Sequence, residues 1–426
     1  MPEISSSSDL EKRQDLDTPD ASSEENVSSL PQESEWNRRA VLTLIGTTCI
    51  LFCTVGFVNA FGVFQEFYSK TYFRDKSLSA ISWFGSFNVF CMFAGALVTG
   101  VLSDLYGPTW LLRGGTVLAL LGIFITSLCR EYYQFFLAQG LLFGLGVAGL
   151  FLPSYATTSL YFIKHRALAL GITVGGSSIG GVIWPIALRR LLVKVGFPWT
   201  MRIAGFIMMP LLVLGCLTVR LPNRKRADKP KPNIKAMKTP AFGLLAGALL
   251  LSSMGLFVPF YFITSYAISL GKDQEISFYL ISIINATSLF GRLVPGFLAD
   301  KYGKFNVLIL SMLFSGIICC CMTTAMSLGG LIVLSVAYGF SSGAIISLQG
   351  ACATQLVDPA TYGAAMGSIL GVCSIAGLIG SPIAGELATR YGYLAASEFG
   401  GAAMLSGTAC LVVSRALQST QLFKVV

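Results

Sequence analysis

Arg292 is the residue whose type and position point most directly to chemistry. It is a single basic side chain deep in an apolar stretch, eight residues before Asp300, which is about 12 Å along a helix. A charge at such a depth is costly unless it faces a cavity or a partner, so it is a functional candidate. The planar guanidinium suits a carboxylate. We interpret Arg292 as a site for an organic anion; the alternative is that it reaches the membrane surface or pairs with a loop acid.

Other polar side chains lie in apolar stretches and are further candidates for the same site. Polar groups at such positions face a wet cavity or another helix rather than lipid. Helical periodicity alone does not separate these two environments. The substrate-binding candidates beside Arg292 are Asn285, Ser288, Asn59, Tyr261 and Gln349, and the wider set for the cavity wall adds Tyr266, Trp184, Tyr155 and Gln139.

The sequence offers little for metal or nucleotide chemistry. The 11 Cys lie in apolar stretches, no CxxC pair occurs, and His165 is the single His. A GxxxxGKS or GxxxxGKT loop is absent, so ATP does not drive the protein directly. A membrane enzyme would need clustered His, Asp or Glu. We therefore expect no metal, no cofactor and no enzymatic activity.

The composition is that of a membrane protein with many spans. Of 426 residues, 54% are hydrophobic and 12% are charged, whereas roughly a quarter are charged in soluble domains. A span needs about 20 apolar residues. Twelve such segments are predicted, over residues 40–66, 79–102, 112–129, 133–160, 167–188, 199–219, 241–267, 276–299, 306–326, 329–355, 363–386 and 394–416. The expected fold class is therefore an all-α membrane protein.

Basic residues determine the predicted orientation. With the N-terminus inside, the cytoplasmic turns hold most of the Lys and Arg, so both termini are expected in the cytoplasm. The predicted parts are a disordered tail over 1–39, a first six-helix half over 40–220, a basic linker over 221–240, a second half over 241–417 and a short tail over 418–426. We expect a monomer in a lipid bilayer and no nucleic-acid partner, because the basic residues lie in short turns.

Two groups of residues recur at one offset in the sequence. Gly100, Asp104 and Gly107 return as Gly296, Asp300 and Gly303, and Gly171 and Gly175 return as Gly367 and Gly371, each 196 residues later. Two independent matches at one offset predict two pseudo-symmetric six-helix halves, arranged as a parallel repeat. The second group leaves helix surfaces bare, so that another backbone can slide along them. We predict that these four glycines form the moving helix seams.

A family signature covers the basic turn and the helix after it. Tyr161, Phe162, Lys164, Arg166, Leu168, Ala169 and Gly171 stand in the order found in the monocarboxylate transporter family of the major facilitator superfamily, which the chain resembles. The run from Trp184 to Trp199 is similar to the fungal branch of that family. His165 stands where a second Arg or Lys is common. The resemblance implies twelve transmembrane helices in two halves, alternating access, and an Arg at the place of Arg292.

The stretches GVLSDLYGP and GFLADKYGK resemble the loop motif of the superfamily. The resemblance implies a gate in which each acid lies at the positive end of a helix. Asp104 is expected at the start of the eleventh span and Asp300 at the start of the fifth, so that the cytoplasmic side is held closed; alternatively, both are ordinary turn residues. The predicted gating set is Asp104, Gly107, Asp300, Gly303, Lys304, Lys164 and Arg166, with Thr109 in place of a basic residue in the first half.

Ser288 departs from the family pattern. Proton-coupled monocarboxylate transporters carry an Asp one helical turn before this Arg, and Ser does not titrate in the range that a proton carrier needs. We expect proton coupling to be absent, carried by the substrate, or moved to a boundary acid such as Glu66, Glu386 or Glu398.

The whole sequence predicts a secondary transporter that moves an organic anion, most simply a monocarboxylate. The alternative is export of a larger acidic secondary metabolite. A nutrient sensor without transport is a further alternative, which would usually carry a long structured cytoplasmic extension. The expected location is the plasma membrane, with the vacuole or another internal membrane as the alternative.

Overall fold

The structure is a computed structural model that describes residues 36–76, 78–221 and 237–418. Every regular element in these ranges is helical, and 11 helical stretches there are long and apolar enough to cross a membrane. Of the predicted tail over 1–39, residues 1–35 lie outside the described residues. Most of the predicted linker, over 222–236, and the chain end, over 419–426, also lie outside them.

The first half begins with four spans, two of which are built from several helical pieces. α1 comprises Arg38–Cys53, Val55–Asn59 and Phe61–Thr71; α2 is Leu78–Tyr106; α3 is Pro108–Thr126; and α4 comprises Tyr132–Phe135, the π-helix Phe136–Leu142 and Phe143–Tyr161. The next helix, Arg166–Thr218, has 53 residues. At 1.5 Å per residue it is about 80 Å long, whereas the hydrocarbon layer is about 30 Å thick. It therefore holds two spans.

Gly196 divides this long helix. Its φ of 73° and ψ of 171° are not helical, and a glycine adopts them without the strain that a side chain would bring. We number residues 166–195 as α5 and 197–218 as α6. The sequence predicts that this span ends at residue 188, whereas the helix continues through Arg189, Arg190 and Lys194 to the glycine. The helix continues to the glycine because exposed charged side chains reach water beyond the hydrocarbon layer.

The second half repeats the arrangement of six spans. α7 comprises Pro240–Leu256 and Val258–Ser269; α8 is Gln274–Tyr302; α9 is Lys304–Cys320, followed by the 3₁₀ turn Cys321–Thr324; α10 is Leu328–Leu356; α11 is Tyr362–Tyr391, after the 3₁₀ turn Pro359–Thr361; and α12 is Tyr393–Ala416. With the division at Gly196, the described residues form twelve spans, which is the predicted all-α fold.

Helices α1 and α7 are both interrupted near their middle. The break in α7 falls at Phe257, just before Pro259, which has no N–H to continue the helical hydrogen bonds. Beyond the breaks, Phe61–Thr71 packs on α2 and on the α5–α6 helix, and Val258–Ser269 packs on helices of the second half. The pieces that follow the breaks therefore pack mainly within their own halves.

Two helix pairs join the halves along their length. α2 packs along α11, and α5 packs along α8. These pairs bring together the two groups of residues that recur in the sequence. We call them the α2–α11 seam and the α5–α8 seam, and the functional candidates lie on or beside them.

Candidate functional site

Arg292 lies on α8 and crosses to α5. It is only 3% exposed, and its Nη1 donates to the Val174 carbonyl at 2.8 Å, to Ser177 Oγ at 2.9 Å and to Ser178 Oγ. Its Nε is buried without a hydrogen-bond partner. No carboxylate of the described ranges pairs with it. The guanidinium is thus held from one side only, by neutral groups of the other half.

A chain of hydroxyl groups continues from this guanidinium. Ser178 Oγ lies 2.8 Å from Ser288 Oγ, and Ser288 Oγ donates to the Asn285 carbonyl at 2.8 Å. Because Arg292 can only donate, Ser178 accepts from it. Because the Ser288 hydroxyl donates its proton to the Asn285 carbonyl, Ser178 is the donor to Ser288. All of these side chains are buried. The structure therefore brings together three of the predicted substrate-binding residues: Arg292, Ser288 and Asn285.

The glycines of α5 allow this close approach. A Cβ added to Gly171 would collide with the Arg292 carbonyl, one at Gly175 would lie 2.9 Å from Leu289 Cδ1, and one at Gly181 would lie 2.6 Å from Asn285 Oδ1. Real Cβ atoms do not approach so closely. The α5–α8 seam therefore exists in this form only with bare backbone on α5.

The α2–α11 seam has the same geometry with apolar contents. A Cβ at Gly367 would collide with the Ala96 carbonyl, and one at Gly371 would collide with the Leu97 side chain. Ala96 stands 196 residues before Arg292, so the two seams are related by the internal repeat. Ser374, the repeat of Ser178, donates to the Gly371 carbonyl of its own helix. At these repeat-related positions, and among the residues that the structure describes, this seam has no side-chain link of the kind that Arg292 makes.

Both predicted acids lie at helix N-termini. Asp104 accepts from the Gly363 and Ala364 N–H groups at 3.0 and 2.7 Å, at the start of α11. Asp300 accepts from the Ala167 and Leu168 N–H groups, both at 3.0 Å, at the start of α5. We call these contacts the latches and this end of the bundle the latch end. The acids lie where the sequence analysis expected them, and their role as a gate stays a prediction.

The remaining gating candidates surround the latches. Gly107 and Gly303 have φ values of 84° and 98° and begin α3 and α9 directly after the acid-bearing helices. Arg166 donates through Nε to the Ser159 and Phe162 carbonyls, both at 3.0 Å, where a cation is favoured by the end of α4. Lys304 is half-buried at the start of α9, and Lys164 is exposed.

Three substrate-binding candidates are not hydrogen-bonded to the Arg292 cluster. Asn59 is half-buried at the end of Val55–Asn59. Tyr261 is 49% exposed and stacks on Phe257 with ring centroids 5.9 Å apart. Gln349 is buried and makes no hydrogen bond to the described residues. Their assignment to the site stays a prediction.

The wider set of cavity candidates connects helices instead. The hydroxyl of Tyr155 donates to the Ser347 carbonyl at 2.7 Å, Trp184 Nε1 to the Phe52 carbonyl at 3.0 Å, the hydroxyl of Tyr68 to Gln139 Oε1 at 2.8 Å and the hydroxyl of Tyr266 to the Thr323 carbonyl at 2.8 Å. Tyr155, Trp184 and Tyr266 thus each donate to a neighbouring segment, whereas Gln139 also lines a small pocket. Periodicity does not separate cavity from interface, and the assignment of these residues to the cavity wall stays a prediction.

Sequence reasoning missed two features of the site. It did not identify Ser177 and Ser178 as the partners of Arg292, although the recurrence of Ser178 as Ser374 marked that face of the helix. It also passed over Asn88, which is 4% exposed and whose Oδ1 has no hydrogen-bond partner. A polar amide in an apolar span is a signal that could have identified it.

Comparison with known proteins agrees with this architecture. The sequence model of the Major Facilitator Superfamily matches residues 43–381 and 287–422. The chain is 51% identical to the agnestins efflux protein AgnL12 of Paecilomyces divaricatus over 93% of this chain and 92% of that protein. It is 40% identical to the aspyridones efflux protein apdF of Emericella nidulans over 87% of this chain and 76% of that protein.

Solved structures show the same fold at low sequence identity. The transporter FucP in the outward conformation superposes with a TM-score of 0.68 at 15% identity, over 88% of this chain and 99% of that one. The human organic anion transporter MFSD10 superposes with a TM-score of 0.67 at 16% identity, over 89% and 100%. These relatives are transporters and not enzymes. The chain therefore belongs to the major facilitator superfamily.

Proposed function

We propose that the protein exports an acidic secondary metabolite across a membrane by alternating access, with Arg292 binding the anionic group. The observation that carries this proposal is a buried guanidinium at the junction of the halves, with no carboxylate partner among the described residues and an unpaired Nε. A buried charge without a counter-charge is destabilising by several kcal/mol, roughly 3–5 when a partner is removed. A substrate anion would supply the missing counter-charge.

The geometry of the guanidinium supports a two-pronged contact. Nη1 is occupied by α5, whereas Nε has no partner and Nη2 makes no hydrogen bond to the described residues. Nε and Nη2 form the edge that pairs with both oxygens of a carboxylate. A substrate bound there would touch α8 while Nη1 still contacts α5. Substrate binding would therefore change the strength of the contact between α5 and α8.

The relatives favour export of a metabolite over uptake of a small monocarboxylate. Two proteins that cover most of the chain are named as efflux proteins for agnestins and aspyridones. The resemblance to monocarboxylate transporters supports an acidic substrate and does not set its size. We therefore place the larger acidic metabolite first and the small monocarboxylate second.

The conformation supports an alternating-access cycle. Both latches are formed at one end, while the pieces of α1 and α7 that follow the helix breaks pack mainly within their own halves. We propose that the latch end is cytoplasmic, that both termini lie there and that this state opens outward. We further propose that the two six-helix halves, over 40–220 and 241–417, move as units in the plasma membrane.

Proton coupling is a separate part of the proposal. Ser288, at the family position of an Asp, is buried and hydrogen-bonded to Ser178 and to its own helix. A serine hydroxyl keeps its proton at physiological pH and therefore does not titrate as a proton carrier. We propose that any coupled proton does not pass through Ser288, so that Ser288→Ala leaves the proton flux per substrate unchanged. A proton flux lost in this variant would contradict the assignment.

A transport assay tests the substrate class. Inside-out membrane vesicles holding the protein would be given labelled 2-naphthoate, its neutral amide, and lactate, with vesicles lacking the protein as the control. We expect protein-dependent accumulation of 2-naphthoate alone. Accumulation of lactate alone would support the small monocarboxylate, and equal accumulation of the amide would contradict an anionic substrate.

A further inference from the structure

A second polar site lies in the first half, between α1, α2 and α4. Its walls are mainly aromatic, from Phe57, Phe61, Phe84 and Phe143, and its polar lining comes from Asn88 and Gln139. In this structure the enclosed space is about that of one water molecule. The interest of the pocket lies in the polar atoms at its wall.

Asn88 presents a hydrogen-bond acceptor without a donor. Its Nδ2 donates to the Gln139 carbonyl at 2.7 Å, which fixes the orientation of the amide because a carbonyl accepts only from the nitrogen. Oδ1 is then buried without a partner. A buried polar atom of this kind is destabilising unless something donates to it.

Gln139 presents the complementary donor. Its Oε1 accepts from the Tyr68 hydroxyl at 2.8 Å, and its Nε2 makes no hydrogen bond to the described residues. Gln139 lies in the π-helix Phe136–Leu142, where Phe143 N–H bonds to the Ala138 carbonyl five residues earlier. Such irregular turns occur often at functional sites. A hydroxyl group in the pocket could therefore donate to Asn88 and accept from Gln139.

Phe61 is the most exposed aromatic wall of the pocket. It is half-buried, its ring lies against Gly85, and it follows directly on the helix break at Ala60. The other aromatic walls, Phe57, Phe84 and Phe143, are fully buried. Phe61 is therefore the wall that a ligand larger than water would displace first.

The pocket and Arg292 lie toward different faces of α5, and Trp184 connects that helix to the pocket. Trp184 packs edge-on against Phe57 with ring centroids 5.4 Å apart, and it lies six residues after Ser178, the partner of Arg292. Six residues are about 9 Å along α5. A substrate that contacts both sites therefore needs an anionic end and an aromatic end separated by at least about this length, as groups at opposite ends of two fused rings are.

We propose that this pocket binds a hydroxyl-bearing aromatic ring at the end of the substrate opposite the carboxylate, with the hydroxyl bonded to Asn88 and Gln139 and with Phe61 displaced. This inference rests on the proposed export of an acidic metabolite, and it names the substrate class as phenolic aromatic acids. The ring contacts supply apolar burial, and the two amides select the hydroxyl over an ether or a bare ring.

Binding of 2-naphthol to the purified full-length chain tests the pocket alone, because this probe has no carboxylate. Calorimetry at fixed detergent concentration should show binding to the wild type and to Arg292→Gln alike. The probe 2-methoxynaphthalene, which cannot donate, should bind about tenfold more weakly, the loss expected for one buried hydrogen bond. Asn88→Leu should weaken 2-naphthol binding by a similar factor.

Two Phe→Trp substitutions, one in the pocket and one outside it, test the proposal if Asn88→Leu does not fold. Phe61→Trp should abolish 2-naphthol binding, whereas Phe124→Trp, a matched change at a half-buried ring between α3 and α6, should leave it unchanged. Equal binding of naphthol and its methyl ether, no binding of either, or unchanged binding in Phe61→Trp would overturn the proposal. The probe 2-naphthoate separates the two sites, since equal binding to wild type and Arg292→Gln would refute the role of Arg292 and not the pocket.

Discussion

The two seams between the halves share a backbone arrangement and differ in chemistry. On the α5–α8 seam, Arg292 bonds to Val174, Ser177 and Ser178 across the junction. On the α2–α11 seam, the repeat-related residue is Ala96, and Ser374 bonds to its own helix. Glycines and a latch occur on both. We propose that movement needs the shared features, whereas recognition needs those of one seam.

The largest expected effect comes from removing the charged group that only one seam has. Arg292→Gln should abolish transport of an anionic substrate, and Arg292→Lys should fail nearly as badly because an ammonium lacks the paired donors. Labelled 2-naphthoate in inside-out vesicles is the measurement. Arg415→Gln is the matched control, since Arg415 is 6% exposed and contacts Asn306 within the second half. Full activity in Arg292→Gln would contradict the assignment.

The next effect concerns the feature that both seams share. Gly175→Leu and Gly371→Leu should stop turnover while insertion continues, because added side chains separate helices that must pass closely. Gly171→Leu and Gly367→Leu should be at least as severe, since their contacts are backbone carbonyls. Gly114→Leu is the control because no atom lies within 4 Å of its added Cβ. Normal transport in the seam variants would show that the seams do not move.

A smaller effect distinguishes the repeat-related serines. Ser178→Ala removes one acceptor from Arg292, and a hydrogen bond to a charged group contributes about 1.5–3 kcal/mol. It should lower the midpoint of thermal unfolding and weaken 2-naphthoate binding. Ser374→Ala removes only a neutral hydrogen bond within its own helix and should lower stability less, by about 0.5–1.5 kcal/mol. Equal effects of the two changes would remove the chemical distinction between the seams.

The smallest effect is expected at the latches. Asp300→Asn and Asp104→Asn each weaken a carboxylate contact with a helix N-terminus, worth about 0.3–2 kcal/mol. Both should raise the labelling of a cysteine introduced at Thr354, in the pocket at the latch end. The Asp300 variant should do so more strongly, because Lys304 adds a positive charge near that acid. Unchanged labelling would mean that the acids are ordinary turn residues.

The internal repeat made the latches and seams predictable from sequence. One offset of 196 residues related Asp104 to Asp300 and Gly171 to Gly367, and the structure places each member of a pair in an equivalent contact. Such a repeat constrains geometry because homologous halves pack in the same way. The twelve spans followed from apolar length, since the hydrocarbon layer sets the length of a span.

The partners of Arg292 were not predictable in the same way. They depend on the rotation of α5 about its axis, which places Ser177 and Ser178 toward α8 and Gly176 and Gly180 toward α1. In an apolar helix hydropathy does not define that rotation. For the same reason the sequence did not predict that Tyr155 donates across the halves to the Ser347 carbonyl.

The most direct test of the central claim is the affinity ratio between an acid and its neutral amide. Dissociation constants of 2-naphthoate and 2-naphthamide would be measured on purified wild type and on Arg292→Gln in the same detergent. A carboxylate bonded to a buried guanidinium should favour the acid by about 10- to 100-fold in the wild type, and the ratio should fall to about one in the variant. An acid preference that persists in Arg292→Gln would contradict the account.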